Sequence, residues 1–112
     1  MLVVDDDDDV RFAVATILAE AGGLVLQVSS AREALDILRA TPCIALLLTD
    51  IVMPGMNGVE LAEAARALQP KLRVMFMTGY ARYAPPRDAC VLHKPFRARE
   101  LMSAVDGALH AS

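Results

Sequence analysis

Residues 46–58 read LLLTDIVMPGMNG, and this segment indicates how the whole chain is organised. Leu46 to Leu48 form an apolar run that is too short for an isolated helix, which is typical of a strand buried on both faces. Asp50 follows at its C-terminal end, and Pro54 and Gly55 then break the chain into a turn. Open α/β sheets bind ligands beyond the carboxyl ends of their strands. We therefore expect Asp50 to be presented in a crevice, not buried, as a candidate reactive group.

Strand-like and helix-like segments alternate along the rest of the chain. The predicted strands are residues 1–4, 24–28, 46–48, 73–78 and 90–93. The predicted inward-facing helix positions are Val10, Val14, Ile17, Leu18 and Ala21; Ala34, Leu35 and Leu38; Leu61, Ala65 and Leu68; and Leu101, Met102, Val105 and Leu109. Asp8 or Asp9 is expected to cap the first helix, and Ser30 with Glu33 has capping-box spacing. The alternation predicts an α/β fold with a parallel sheet and helices on both faces.

Composition excludes several classes of protein. With 112 residues, 55% of them hydrophobic, the chain fits one globular domain over residues 1–112. A net charge of −3 offers no basic surface for nucleic acid, and no apolar run approaches the ~20 residues of a membrane span. Met1 leads directly into a strand, so we expect no signal peptide and a cytoplasmic setting. Cys43 and Cys90 lack metal-type spacing and are expected to be reduced core thiols.

Polar side chains follow four of the predicted strands. Asp5 to Asp9 form a run of five aspartates after the first strand, and Asp50, Thr78 and Lys94 end or follow the third, fourth and fifth. Because the carboxyl ends of parallel strands meet at one edge of a sheet, the first one or two of these aspartates should lie near Asp50. Carboxylates that converge in one crevice repel each other, so at least one should be partly protonated without a counter-ion.

This set of side chains suits phosphoryl transfer. Oxygen ligands without a His or Cys partner favour a hard cation, and Mg²⁺ suits so sparse a site better than Ca²⁺. Asp50 could then act as a nucleophile and form an aspartyl phosphate. The ammonium of Lys94 and the hydroxyl of Thr78 could supply the positioning and charge neutralisation that phosphoryl transfer needs.

Four motifs, taken together, resemble those of the response-regulator receiver domain, which accepts a phosphoryl group from a histidine kinase. They are Val4-Asp5-Asp6, Asp50 with Met53-Pro54-Gly55 and Gly58, Thr78-Gly79, and Lys94-Pro95-Phe96. The resemblance covers the whole chain. It implies a flavodoxin-like, doubly wound, five-stranded parallel sheet in the order 2-1-3-4-5, and a cis Lys94–Pro95 bond.

The resemblance also implies roles for individual residues. Mg²⁺ would be bound by Asp5, Asp6, Asp50 and the backbone carbonyl of Val52. Asp50 would be phosphorylated, Thr78 would reorient toward the phosphate, and Lys94 would pair with it. The partners would be a histidine kinase or a histidine phosphotransfer protein, and a downstream protein or effector domain. Such a domain is a phosphoryl acceptor with at most slow self-dephosphorylation, not an enzyme.

The chain departs from the family pattern at two places. Pro85 and Pro86 lie between Thr78 and Lys94, so the usual fourth helix should be short, irregular or missing. Val91 stands where the family commonly has a Tyr or Phe that moves with the Thr. Tyr80 or Tyr83 could substitute for that ring, although exposed loop tyrosines are the favoured interpretation. We also expect residues 79–89 to be mobile in the unphosphorylated state.

Alternative functions remain open on the same fold. The altered output face is compatible with a phosphorylation-independent interaction module, and residues 76–80 also resemble receivers at the C-termini of hybrid sensor histidine kinases. An aspartyl-nucleophile hydrolase would need a second Asp where Val52 stands, and a mononucleotide binder would need a phosphate loop rich in Ser, Thr and Gly. His93 is interpreted as structural rather than as a proton relay. Arg97 and Arg99 are interpreted as a solvated face, with partner contact as the alternative.

Overall fold

The alternation of strands and helices folds into a parallel sheet covered on both faces. The computed structural model describes residues 1–79 and 89–110. The elements are β1 (Leu2–Val4), α1 (Asp8–Glu20), β2 (Leu26–Val28), α2 (Ala31–Ala40), β3 (Leu46–Asp50), α3 (Gly58–Leu68), β4 (Arg73–Thr78), β5 (Cys90–His93) and α4 (Ala98–His110). All neighbouring strands pair in parallel, in the order β2-β1-β3-β4-β5. The predicted fold class and strand order are therefore confirmed.

The segment between β4 and β5 carries several of the sequence-based predictions. The short or irregular fourth helix and the roles of Tyr80 and Tyr83 fall on residues 80–88, which lie outside the described residues. The expected mobility of this loop falls there as well.

Two apolar clusters, one on each face of the sheet, hold the helices in place. Leu47 belongs to a cluster with residues of α2 and α3, whereas Leu46 and Leu48 belong to a cluster with residues of α1 and α4. All five residues of β3 are buried, because successive side chains of this central strand point into opposite clusters. The apolar run at residues 46–48, which predicted a strand buried on both faces, therefore lies in the central strand of the sheet.

The helix starts differ in detail from the prediction. Asp7, not Asp8 or Asp9, caps α1: its carboxylate accepts hydrogen bonds from the backbone N–H groups of Asp9 and Val10 at 3.0 and 3.3 Å. Asp8 and Asp9 instead occupy the first turn, where negative charge favours the helix dipole. Ser30 caps α2 as predicted, since its hydroxyl accepts from the Glu33 N–H at 3.2 Å.

Several apolar residues lie outside the core that the sequence predicted for them. β2 begins at Leu26, whose N–H donates to the Met1 carbonyl, and this leaves Leu24 91% exposed before the strand. Met102 is exposed because the buried stripe of α4 runs through Leu101, Val105 and Ala108, one residue away around the helix. Leu68, the last residue of α3, is also exposed.

The cysteines are free but are not core residues. Cys43 lies in the loop between α2 and β3 with a φ of 63°, and Cys90 begins the edge strand β5. Both are exposed, so the predicted reduced core thiols are corrected to surface thiols. None of the helices in residues 1–79 and 89–110 has both the length and the apolar character needed to cross a bilayer.

Candidate functional site

The candidate site lies at the carboxyl ends of four adjacent strands. Asp5 follows β1, Asp50 and Thr78 end β3 and β4, and Lys94 follows β5. The register pairs Asp50 with Met77 and Thr78 with His93, which aligns these strand ends at one edge of the sheet. The parallel sheet thus brings together the side chains that the sequence selected, as expected for the crevice of an open α/β sheet.

Asp5 is the most enclosed of the acidic residues. Its side chain is 0% exposed and accepts hydrogen bonds on both oxygens, from the Asp7 N–H at 2.9 Å and from Lys94 Nζ at 3.0 Å. Its own N–H donates to the Val28 carbonyl of β2 at 3.3 Å. A buried carboxylate requires such compensation, because removing it from water is costly unless it is paired and hydrogen-bonded.

Asp50 is buried, contrary to the expectation that it would be presented. It is 5% exposed, because it ends the central strand between β1 and β4 while Lys94 reaches over from β5. Lys94 Nζ lies 3.5 Å from Asp50 Oδ2. The other oxygen, Oδ1, is buried and has no hydrogen-bond partner among residues 1–79 and 89–110.

This environment changes the acidity of Asp50 and Lys94. Burial, reinforced by the negative charge of Asp5, raises the pKa of Asp50 against the opposing effect of Lys94. Burial lowers the pKa of Lys94, but hydrogen bonds and charges from Asp5 and Asp50 outweigh it and leave that pKa above the ordinary value. Lys94 therefore stays protonated at neutral pH, whereas Asp50 is a weaker acid than an ordinary aspartate.

The remaining predicted residues surround this pair. Thr78 is buried, and its carbonyl accepts the Lys94 N–H at 2.8 Å, which fastens the end of β5 to β4. The Lys94–Pro95 bond is cis, as the resemblance implied. Asp6 is exposed beside the crevice, and Val52 lies half-buried in the turn after β3.

The acidic residues form a donor set that fits a hard divalent cation. One carboxylate oxygen from each of Asp5, Asp6 and Asp50 lies within 4.8 Å of the others. The buried Oδ1 of Asp50 is an acceptor for which the described part of the chain supplies no donor. Oxygen ligands of this kind suit Mg²⁺, which commonly takes one or two carboxylates and retains several waters.

Two further residues, Arg11 and Gly58, shape the site through contacts that the sequence did not reveal. Arg11 donates to the Asp5 carbonyl, although nothing in its position on an amphipathic helix indicates that contact. Gly58 begins α3 directly against the Asp50 carbonyl oxygen, where a Cβ atom would overlap it. Its place at the end of a Pro/Gly turn was the available signal. His93, Arg97 and Arg99 are exposed.

Comparisons with known proteins agree with this geometry. The model of one protein family, described as "Response regulator receiver domain", matches residues 1–106. The response regulator receiver protein CpdR of Brucella abortus (strain 2308) is 41% identical over 118 aligned residues, which cover 100% of this chain and 98% of CpdR. The sensor kinase CckA of the same organism is 33% identical over 94% of this chain, but the chain spans only 12% of CckA.

Solved structures show the same fold. The receiver domain of NtrX from Brucella abortus superimposes with a TM-score of 0.89 at 30% sequence identity, over 99% of this chain and 98% of that one.

Proposed function

This chain belongs to the response regulator receiver domain family of two-component signalling, and on that premise we propose that Asp50 accepts a phosphoryl group from a phosphorylated histidine. One observation carries the proposal: a buried carboxylate lies 3.5 Å from a lysine ammonium and within an acidic cluster at the carboxyl edge of the sheet. The phosphorylated histidine would come from a histidine kinase or a histidine phosphotransfer protein. A downstream protein or effector domain would respond to the phosphorylated state, and we expect this exchange to occur in the cytoplasm.

Asp5, Asp6, Asp50 and the backbone carbonyl of Val52 would hold Mg²⁺. The unpaired Oδ1 of Asp50 and the spacing of the three carboxylates support this ligand set. When bound, the ion would offset the charge of the carboxylates and of the phosphoryl oxygens that approach them.

The residues of the chain itself would perform the transfer. An Asp50 oxygen attacks phosphorus as the bond from phosphorus to the donor's imidazole nitrogen breaks, and the imidazole leaves with the electron pair of that bond. Lys94 can donate from Nζ to a phosphoryl oxygen, because Asp5 holds its charged form beside Asp50. Thr78 ends the neighbouring strand and could turn its hydroxyl toward the new phosphate.

Phosphorylation would change the charge balance of the crevice. The aspartyl phosphate would add negative charge beside Asp5, and Lys94 would be drawn away from Asp5 toward the phosphate. The turn after β3 adjoins the crevice, and we expect this turn, together with the segment that follows β4, to transmit the change. Loss of the phosphate by slow attack of water would reset the domain.

Intact mass spectrometry after incubation with acetyl phosphate tests the proposal. We expect one phosphoryl adduct that requires Mg²⁺ and is absent from Asp50→Asn. Asp9→Asn is the matched control, because it removes an exposed acid of the same run and should leave the adduct unchanged. A folded chain that is not labelled by acetyl phosphate or by a phosphohistidine donor would overturn the proposal in favour of a phosphorylation-independent interaction module.

A further inference from the structure

We propose that Arg11 is a positioning residue that fixes the two consecutive metal-binding acids, Asp5 and Asp6, in the geometry that a divalent cation needs. This inference rests on the proposed function, in which these acids hold Mg²⁺. The Arg11 guanidinium makes three contacts: Nη1 donates to the Asp5 carbonyl at 3.0 Å, Nη2 lies 2.7 Å from the Asp8 carboxylate, and Nε donates to Gln27 of β2 at 3.3 Å. Its side chain is only 17% exposed, and these contacts join α1 to the chain that follows β1 and to β2.

The Asp5 carbonyl obtains from Arg11 the partner that the sheet no longer provides. β1 and β2 end at Val4 and Val28, and the last bond beyond their ladder runs from the Asp5 N–H to the Val28 carbonyl. The carbonyl of Asp5 lies past that point. The Nη1 group therefore takes the place of a neighbouring strand, which meets the requirement that a shielded carbonyl be hydrogen-bonded.

Holding this one oxygen constrains both acids. The carbonyl of Asp5 and the N–H of Asp6 belong to the same planar peptide group, so fixing the carbonyl sets the direction in which the chain enters Asp6. The Asp5 carboxylate is already held by Lys94 and by the Asp7 N–H, whereas Asp6 is exposed. Arg11 thus orients the less restrained of the two ligands through its backbone.

An electrostatic role and a positioning role of Arg11 predict opposite changes in Mg²⁺ affinity when the side chain is replaced. A positive guanidinium near a cation site repels the cation, so removing the charge alone would tighten Mg²⁺ binding. Loss of a group that holds metal ligands in place weakens binding. The direction of the change therefore separates the two roles.

Calorimetric titration with Mg²⁺ provides the direct test. We expect Arg11→Met to weaken binding about tenfold, as is usual for residues that support metal ligands. Arg11→Lys keeps the charge, but a single ammonium cannot span the Asp5 carbonyl and the Asp8 carboxylate as a planar fork does, so its binding is also weaker than wild type. Arg39→Met removes an exposed arginine paired with Asp36 and should bind like wild type. Unchanged or tighter binding by Arg11→Met would overturn the inference.

Phosphorylation kinetics separate positioning from general destabilisation. With acetyl phosphate, we expect the half-saturating Mg²⁺ concentration to rise in Arg11→Met and Arg11→Lys, while the rate at saturating Mg²⁺ stays at the wild-type value. A merely structural role would reduce the labelled fraction and leave half-saturation unchanged, and that result would count against positioning. If Arg11→Met does not fold, Arg11→Lys decides.

The same titrations distinguish this inference from the proposed function. Wild-type protein that binds no Mg²⁺, or Asp6→Asn that binds it equally well, would contradict the proposed ligand set and the inference with it. Wild-type binding that depends on Asp6 but not on Arg11 would contradict the inference alone.

Discussion

Asp50 combines burial with a negative charge, and burial makes that charge energetically costly. Its carboxylate is buried at the end of the central strand, and one of its oxygens has no donor within the described residues. Lys94 offsets part of the cost of its charge, but Lys94 lies nearer to Asp5, at 3.0 Å compared with 3.5 Å. The residue that is proposed to react is therefore one whose ionised form is disfavoured by its burial.

Asp50→Asn should stabilise the protein in the absence of Mg²⁺. Because burial raises the pKa of Asp50, the ionised carboxylate lowers the free energy of unfolding at pH 7, and a neutral amide removes that cost. We expect a gain of about 1 kcal/mol, in line with the cost of a poorly satisfied buried polar group. Urea unfolding at neutral pH, followed by circular dichroism, measures it.

The stability gained by Asp50→Asn should change with pH in one direction only. A carboxyl with a raised folded-state pKa contributes stability that is present at low pH and is lost as the pH rises through that pKa. The advantage of Asp50→Asn should therefore shrink as the pH falls, because wild-type Asp50 becomes protonated. Asp9→Asn, which changes an exposed acid, should show no gain at pH 7. A gain that grows toward low pH would contradict this account.

The sequence predicted which residues come together at the site better than it predicted their burial and their contacts. Asp5, Asp50, Thr78 and Lys94 were identifiable because each ends or follows an apolar run. The burial of Asp50 was not, because it depends on Lys94 reaching across from another strand. The contact of Arg11 was also hidden, since a backbone carbonyl past the end of a strand leaves no pattern in the side chains.

At the scale of elements, the turn from β3 to α3 joins Asp50, the proposed phosphorylation site, to a helix. The Gly58 N–H donates to the Ile51 carbonyl at 2.8 Å, and the helix starts against the Asp50 backbone. Asn57 and Glu60 form a reciprocal capping box, each accepting from the other's N–H. The first turn of α3 thus packs directly behind the proposed phosphorylation site.

Gly58→Ala should therefore damage both stability and the site. A Cβ at Gly58 would overlap the Asp50 carbonyl oxygen, which is backbone and cannot move without shifting β3. We expect a loss of about 2 kcal/mol in the free energy of unfolding, typical of overpacking, and weaker Mg²⁺ binding. Denaturant unfolding and calorimetry measure the two effects.

Gly107→Ala is the matched control for this substitution. A Cβ at Gly107, in α4, has no neighbour within 4 Å in the described structure, so the same change should stabilise the helix by up to ~1 kcal/mol. Equal changes in the free energy of unfolding for Gly58→Ala and Gly107→Ala would contradict the expected overlap with the Asp50 carbonyl.

Element identity was easier to predict than element ends. Periodicity gave the five strands and four helices of the described residues, because burial on one or both faces fixes it. The sequence placed the N-cap of α1 at Asp8 or Asp9 instead of Asp7, because five consecutive aspartates cannot be told apart by residue type. The end of β1 determines which of them becomes the cap. The cysteines were misplaced because a small apolar residue fits an edge strand or a loop as well as a core.

For the whole molecule, the acidic cluster links ion binding to global folding. Asp5 and Asp6 follow β1 and Asp50 ends β3, so the cluster exists only while these adjacent strands pair. Both strands are buried between the two helical layers. An ion that binds this cluster must therefore stabilise the entire fold.

Mg²⁺ should accordingly raise the thermal midpoint of unfolding, and EDTA should reverse the change. Mass action predicts about 2.7 kcal/mol at an Mg²⁺ concentration 100 times the Kd. Asp6→Asn should lose most of this gain, whereas Ca²⁺, which prefers more ligands, should give less of it than Mg²⁺. An unchanged midpoint in saturating Mg²⁺ would contradict the proposed ligand set.

The Asp50 oxygen that finds no donor among residues 1–79 and 89–110 also has a consequence for protein engineering. Natural domains are seldom at their stability optimum, and raising stability costs function where the functional site is itself destabilising. A library of this chain sorted only for heat resistance would enrich replacements at Asp50 and discard the proposed phosphoryl acceptor. Thermostable versions should therefore be selected with Asp50 held fixed, or under a screen that scores phosphorylation.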